Sequence, residues 1–205
     1  MRQLSILILI ATFFSCQTKV GKEKSLNYYN QGIKVLGMVD TIGKIDYSKA
    51  LPLFDESVRL NPEFIESRYW KSQCEIHLGQ LDKALETSES VISDFKNNNH
   101  RLMPTFYVTA GLIQKIKKNS DKANEYFKKA TEIYSLRIDK NNKDTDAIMN
   151  KAVVLCYMDS KNEALAFLNS IAVNEENRTI LGQIRENIST FDSDKLLTEI
   201  KNNGW

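Results

Sequence analysis

Residues 107–130 read YVTAGLIQKIKKNSDKANEYFKKA, and the placement of small residues in this stretch decides the fold. Ala123, Phe127 and Ala130 stand four and three residues apart, so a small, a large and another small side chain share one helical face. Ala110-Gly111 puts two further small residues on the preceding segment, where a second helix could cross closely. The unit read here is a helix, a turn and a helix, with alanine at the crossing and the larger residue filling the gap to the next pair.

Working outward, Ala50, Ala84, Ala123 and Ala164 recur at spacings of 34, 39 and 41 residues. A period near 34 marks a helix–turn–helix array. Four residues after each alanine stand Phe54, Ser88, Phe127 and Leu168, and seven after it stand Ser57, Val91, Ala130 and Ile171. Tyr28, Tyr29, Gly32 and Tyr47 precede Ala50, with Pro62 closing that unit; Leu78-Gly79 and Leu81 precede Ala84; Ala147, Asn150 and Ala152 precede Ala164. Together these residues resemble the tetratricopeptide repeat (TPR), W-x2-L-G-x2-Y, then A-x3-F, then P. Arg68 and Ser88 replace aromatics in the second unit, and the fourth lacks a turn glycine. The resemblance covers about residues 28–172 and implies an all-α fold: a TPR right-handed helical solenoid of about four helix-turn-helix repeats with C-terminal capping helices.

The expected organisation is one elongated domain. Its array spans 26–174, with repeats at 26–64, 65–98, 104–137 and 145–174, and capping helices follow over 175–205. Scarce Pro and Gly and almost no β-branched alternation agree with helices throughout. Extra residues fall in Val39–Ile45, Asn99–Met103 and Ile138–Asp144, and the latter two adjoin or contain Asn clusters expected to be loops. Asn177–Ser189 and Asp192–Asn202 read as amphipathic helices, with Ile180, Leu181, Ile184 and Ile188, then Leu196, Leu197 and Ile200, as stripes. They either cap the last repeat or dock a partner, and Trp205 is either pinned there or free as an anchor.

The chain begins with Arg2 and an apolar run from Leu4 to Phe14, followed by Ser15-Cys16. The run fits a secretory signal over 1–15 and is short for a bilayer span; a short anchor or a buried first helix is the alternative. Cys16 after a small residue resembles a bacterial lipobox, although Phe13 and Phe14 depart from its usual Leu and small residue. That resemblance implies lipid attachment at Cys16, held by about 0.8 kcal/mol per buried methylene, and a lipidated tether over 16–25. By resemblance to enterobacterial lipoproteins, Gln17 favours the outer membrane, facing the periplasm. The membrane is then reached through the N-terminal lipid only.

Chemistry is sparse. The formal net charge is +2, and removal of 1–15 takes Arg2 and no acid, so no nucleic-acid partner is expected. His77 and His100 lack partners at metal-ligand spacing, and no GxSxG, HExxH, phosphate loop or dinucleotide fingerprint is present. Acidic neighbours such as Asp55-Glu56 and Glu175-Glu176 read as solvated surface rather than a catalytic dyad. Cys74 and Cys156 lie two repeats apart and read as buried small residues rather than a disulfide. The expectation is a protein that is not an enzyme, with no cofactor and no metal.

In TPR proteins the first helix of each pair lines a concave groove. Carried over by register, the resemblance implies Leu26, Tyr29, Ile33 and Leu36; Glu66, Tyr69, Gln73 and Ile76; Thr105, Val108, Leu112 and Lys115; and Asp146, Met149, Val153 and Cys156. The protein-binding residues singled out are Tyr29, Ile33, Tyr69, Gln73, Ile76, Val108, Leu112, Lys115, Met149 and Val153. The carboxylate clamp of chaperone-binding members is absent, since Tyr29, Ile33, Trp70, Thr105 and Thr109 occupy its positions. The groove is open to a partner or covered by the C-terminal helices folding back across it, and the expected function is a lipid-anchored envelope adaptor that takes a protein or peptide segment into it. The alternative is a structural subunit of an outer-membrane or periplasmic assembly, docking through its convex face or C-terminal helices.

Overall fold

The structure is a computed structural model that describes residues 2–38, 45–96, 100–172 and 177–203, with side chains from residue 19 onward. Among these residues the chain is all-α, with ten helices: α1 (Arg2–Leu36), α2 (Tyr47–Leu60), α3 (Ile65–His77), α4 (Leu81–Asp94), α5 (Met103–Ile116), α6 (Ser120–Lys140), α7 (Thr145–Tyr157), α8 (Lys161–Ser170), α9 (Arg178–Thr190) and α10 (Ser193–Asn203). The four phasing alanines fall on α2, α4, α6 and α8, and none is more than 1% exposed. Each sits where a side chain larger than a methyl would push neighbouring helices apart.

Local chemistry sets the helix ends. Asp46 and Asp144 are N-caps, accepting from Lys49 N and Ala147 N at 3.0 Å each and satisfying a free first-turn N–H. The turn after α3 passes through Gly79 at φ 69°, and the turns after α5 and α7 pass through Lys118 at 62° and Asp159 at 60°. All three stand five residues before their alanine, so the left-handed turn recurs with or without glycine.

The chain divides into two compact units, Met1–Leu78 and Gly79–Trp205, instead of the single domain expected. The division falls at the turn inside the second repeat, the one without the usual aromatics. In the first unit α2 packs against both α1 and α3. Ala50, Phe54 and Cys74 form its core, with Tyr29, Ile33, Tyr47 and Trp70 around them. Gly32 admits the Phe54 ring so closely that a Cβ there would lie 2.6 Å from it. Beside this core the buried hydroxyls of Ser25, Ser57 and Ser67 join three helices: Ser57 Oγ donates to Ser25 O at 2.8 Å and lies 2.6 Å from Ser67 Oγ.

That network corrects the tether expected over 16–25. The segment is part of α1, Gly21 lies against Leu60, and Ser25 is fully buried. With no Pro in the segment, the helix of the first repeat propagates back through it, and its last residue, Ser25, is held by Ser57 of α2. Cys16 lies outside the residues whose side chains are described.

In the second unit α4 to α9 pack in sequence, and α7 also meets α9. One core runs from Leu112 through Ala123, Phe127, Ala130, Ala147, Ala152, Ala164 and Leu168 to Leu181, Ile184 and Ile188. The loop expected over Ile138–Asp144 is another correction, because helix α6 continues to Lys140. Tyr134 and Ile138 are buried on this extension, and Arg137 reaches Asp144 at 3.0 Å and Asp146 at 2.8 Å. The inserted residues therefore lengthen a packed helix, and only the turn before Thr145 remains irregular. The first insertion except Ile45, the residue Asn99, the pair Glu175-Glu176 and Trp205 lie outside the described residues.

Candidate protein-binding faces of the first helices

The first helices of the pairs are α1, α3, α5 and α7. In the first unit, Tyr29 is half-buried, with its ring centroid 6.0 Å from that of Phe54 and 4.9 Å from that of Phe64. Ile33 packs on the same core, while Ile76 is only 3% exposed. Tyr69 and Gln73 are half-buried, and Tyr69 meets Trp70 edge-on at 5.1 Å. The accessible part of this face is thus aromatic and polar, and Ile76 belongs to the interior.

In the second unit, Met149 is 41% exposed, and Val108 and Val153 are half-buried. Leu112 is only 5% exposed and belongs to the core. Lys115 is not free, because its ammonium donates to the carbonyl of Tyr157 at 2.6 Å and to Asp159 at 2.7 Å. It caps the C-terminal end of α7, where the helix dipole favours a cation. Lys151 lies 4.3 Å from the centroid of the Phe167 ring, and burial pulls its pKa below the usual lysine value.

A contributor that the register did not place is α10. After α9 the chain turns at Phe191, whose ring meets Tyr157 edge-on at 5.5 Å and whose carbonyl accepts from Lys161 at 3.2 Å. Helix α10 then packs against α5. Leu196 and Leu197 lie on the core that contains Leu112, together with Val108 and Val153, and Ile200 is 2% exposed. The apolar stripe of this helix is visible in the sequence, but nothing in its spacing says which surface it meets.

No group of three or more His, Cys, Asp or Glu able to hold a metal ion occurs among the described residues. Among the same residues, no helix is long and apolar enough to cross a membrane. Burial pushes the Cys74 thiol up to about 12, with Glu75 and Asp55 adding to the effect, and burial also raises Cys156. Neither is a thiolate near neutral pH.

These features define a helical-repeat protein whose first helices carry partly open apolar faces. Residues 104–135, the segment from α5 into α6, match the family described as Tetratricopeptide repeat. The fold is similar to that in the crystal structure of a thermophilic TPR protein from Thermus thermophilus. The TM-score is 0.52 at 16% identity, covering 88% of this chain and 91% of that one. No curated protein matches the chain.

Proposed function

We propose that this chain is a non-enzymatic protein-interaction module that binds a protein or peptide segment on its first-helix faces. We propose further that it is an exported lipoprotein, attached through Cys16 to an envelope membrane and facing the periplasm. The observation that carries the binding reading is the exposure of Met149 on α7, one turn from half-buried Val153, together with half-buried Val108 on α5, on first helices of a repeat fold. Apolar side chains grouped at a surface mark contact sites more often than isolated ones do. In the first unit Tyr69 and Gln73 supply a mixed surface of the kind suited to extended or helical peptides. The lipid reading is supported by the apolar run ending at Ser15-Cys16.

Photo-crosslinking in cells tests the binding reading. A crosslinker at Tyr69 or Met149 is expected to capture a discrete partner, while one at Glu132, exposed on α6, is not. Capture from Glu132 or Leu136 alone would reject the first-helix faces and favour the structural-subunit alternative. A Met149→Glu and Val153→Glu pair is expected to abolish capture with helicity intact. For the anchor, Cys16→Ser is expected to release the protein from membranes. Undiminished membrane partitioning at full-length mass would refute lipid attachment.

A further inference from the structure

Helix α10 is placed and held unlike a terminal cap. The end of the array is covered by α9, which packs on α7 and α8 and buries Leu181, Ile184 and Ile188. Past Phe191 and Asp192 the chain leaves that position, and α10 packs on α5, the first helix of the preceding repeat. It brings Leu196 and Leu197 to the core that holds Leu112, whose α5 members also include Tyr107 and Val108 at its edge. A helix laid by its apolar side on a first helix is the arrangement expected of a bound helical ligand.

The attachment of α10 is almost entirely apolar. Its Thr198 hydroxyl donates within the helix, to Asp194 O at 2.8 Å, and Lys195 N is capped by Asp192 at 2.9 Å. Among the described residues, no α10 side chain forms a hydrogen bond or ion pair with another helix. The firmer contacts, Lys161 and Tyr157, hold Phe191 at the hinge and would remain if α10 left. An isolated helix of this length is marginal in water, so α10 depends on the face it covers for its order.

We infer that α10 is a displaceable occupant of the α5 face beside Leu112, and that this face receives a partner's amphipathic helix of the same apolar spacing: two adjacent leucines followed three residues later by Ile or Leu. The inference rests on the protein-interaction reading and adds the chemistry of the ligand and a control on access. Tethering gives α10 a high effective concentration at its own site. A partner therefore meets a fraction of open protein, and its apparent affinity falls by that fraction.

The probe is a synthetic peptide of residues 191–203 with an N-terminal fluorophore, titrated by anisotropy. The hosts are the full chain and its Leu196→Asp, Leu197→Asp, Ile200→Asp variant, in which α10 is detached. The variant is expected to keep the helicity of α1 to α9 and to bind the peptide at least about tenfold more tightly than the intact chain. Adding Val108→Glu on α5 to the variant is expected to remove that binding. A folded variant that fails to bind the peptide, or an intact chain that binds it equally well, overturns the inference. Hydrogen exchange on the intact chain is an independent measure. Faster exchange in α10 than in α9 is expected, and equal protection would show a fixed cap. If these tests fail while Tyr69 and Met149 still crosslink one partner, the α10 inference falls and the interaction reading stands.

Discussion

A Cβ on Gly111 would lie 2.5 Å from Cε1 of Phe127, closer than carbon atoms pack. The contact joins α5 to α6 within the third repeat, and Gly32 meets Phe54 the same way in the first. Alanine in mid-helix ordinarily gains about 1 kcal/mol over glycine. At Gly111 that gain is overridden, because the obstructing atoms belong to a buried ring with little room to move. Gly111→Ala is expected to destabilise the chain by about 1–3 kcal/mol, typical of overpacking. Gly182 on α9 is exposed, and a methyl group there would have nothing within 4 Å, so Gly182→Ala is expected to stabilise by about 0.5–1 kcal/mol. Urea denaturation of the two variants should give midpoints on opposite sides of the parent.

The turn residues offer a second test. Lys118 holds φ 62° where the second repeat has Gly79 at 69°. A lysine in the left-handed region carries steric strain of about 1 kcal/mol or more that glycine does not. Its side chain is exposed. Lys118→Gly is therefore expected to raise stability by about 1 kcal/mol, read as a higher thermal midpoint. Lys118→Val should lower it.

That turn also shows how far the sequence could be read. The alanine register locates the helix contacts because close crossing admits only small residues, and Ala50, Ala84, Ala123 and Ala164 are all buried. Glycine is the residue that marks a left-handed turn, so the equivalent turns at Lys118 and Asp159 carry no such mark, although they keep the same distance from their alanines. Periodicity tells that Leu196, Leu197 and Ile200 form a stripe. It cannot tell whether that stripe covers the last repeat or crosses to α5, since either surface buries the same side chains. Among the groove positions, Met149 and Tyr69 retain exposure. Leu112 lies under neighbouring apolar groups, and Lys115 is tied to the end of α7, contacts set by helices distant in sequence. The run from Gln17 to Ser25 is polar enough to read as unfolded, yet one buried serine at its end is enough to belong to a core.

Ser57 carries that point into experiment. Its hydroxyl sits among Ser25 O, Ser25 Oγ at 3.0 Å and Ser67 Oγ, all buried. Ser57→Ala leaves polar atoms of two other helices without this partner, which costs about 1–3 kcal/mol. Removing residues through Lys24 should be tolerated, whereas removal through Ser25 should cost a comparable amount. Equal stability of the two truncations would return the segment to a tether.

Lys115 is expected to act on stability more than on recognition. Its side chain is 17% exposed, and its ammonium reaches both the Tyr157 carbonyl and Asp159. Asp159 is 71% exposed, so solvent weakens its share and the carbonyl contact dominates. Lys115→Met keeps the stem and loses the charge, and should cost about 1–2 kcal/mol. Lys115→Arg should recover only part of this, because the planar guanidinium does not reproduce the ammonium's two contacts. A loss of partner capture in Lys115→Met without any loss of stability would show the opposite division of labour.

Cys74 gives the protein an alkaline signature whose sign follows from its burial. The folded thiol is pushed from 9.0 up to about 12, so over that interval the folded state holds a proton that the unfolded state releases. Stability is unaffected by this group near pH 7, where both states are protonated. It falls as pH rises from 9 toward 12, with a slope approaching about 1.4 kcal/mol per pH unit at most. Other groups titrate in the same range, so the measurement is a difference: unfolding free energy against pH for the parent and for Cys74→Ala, with the parent curve the steeper above pH 9. The same burial predicts that, in a chain carrying Cys16→Ser, neither Cys74 nor Cys156 reacts with a thiol reagent at pH 8 until denaturant opens the fold. Prompt labelling of Cys74 in the native state would contradict its full burial between α2 and α3.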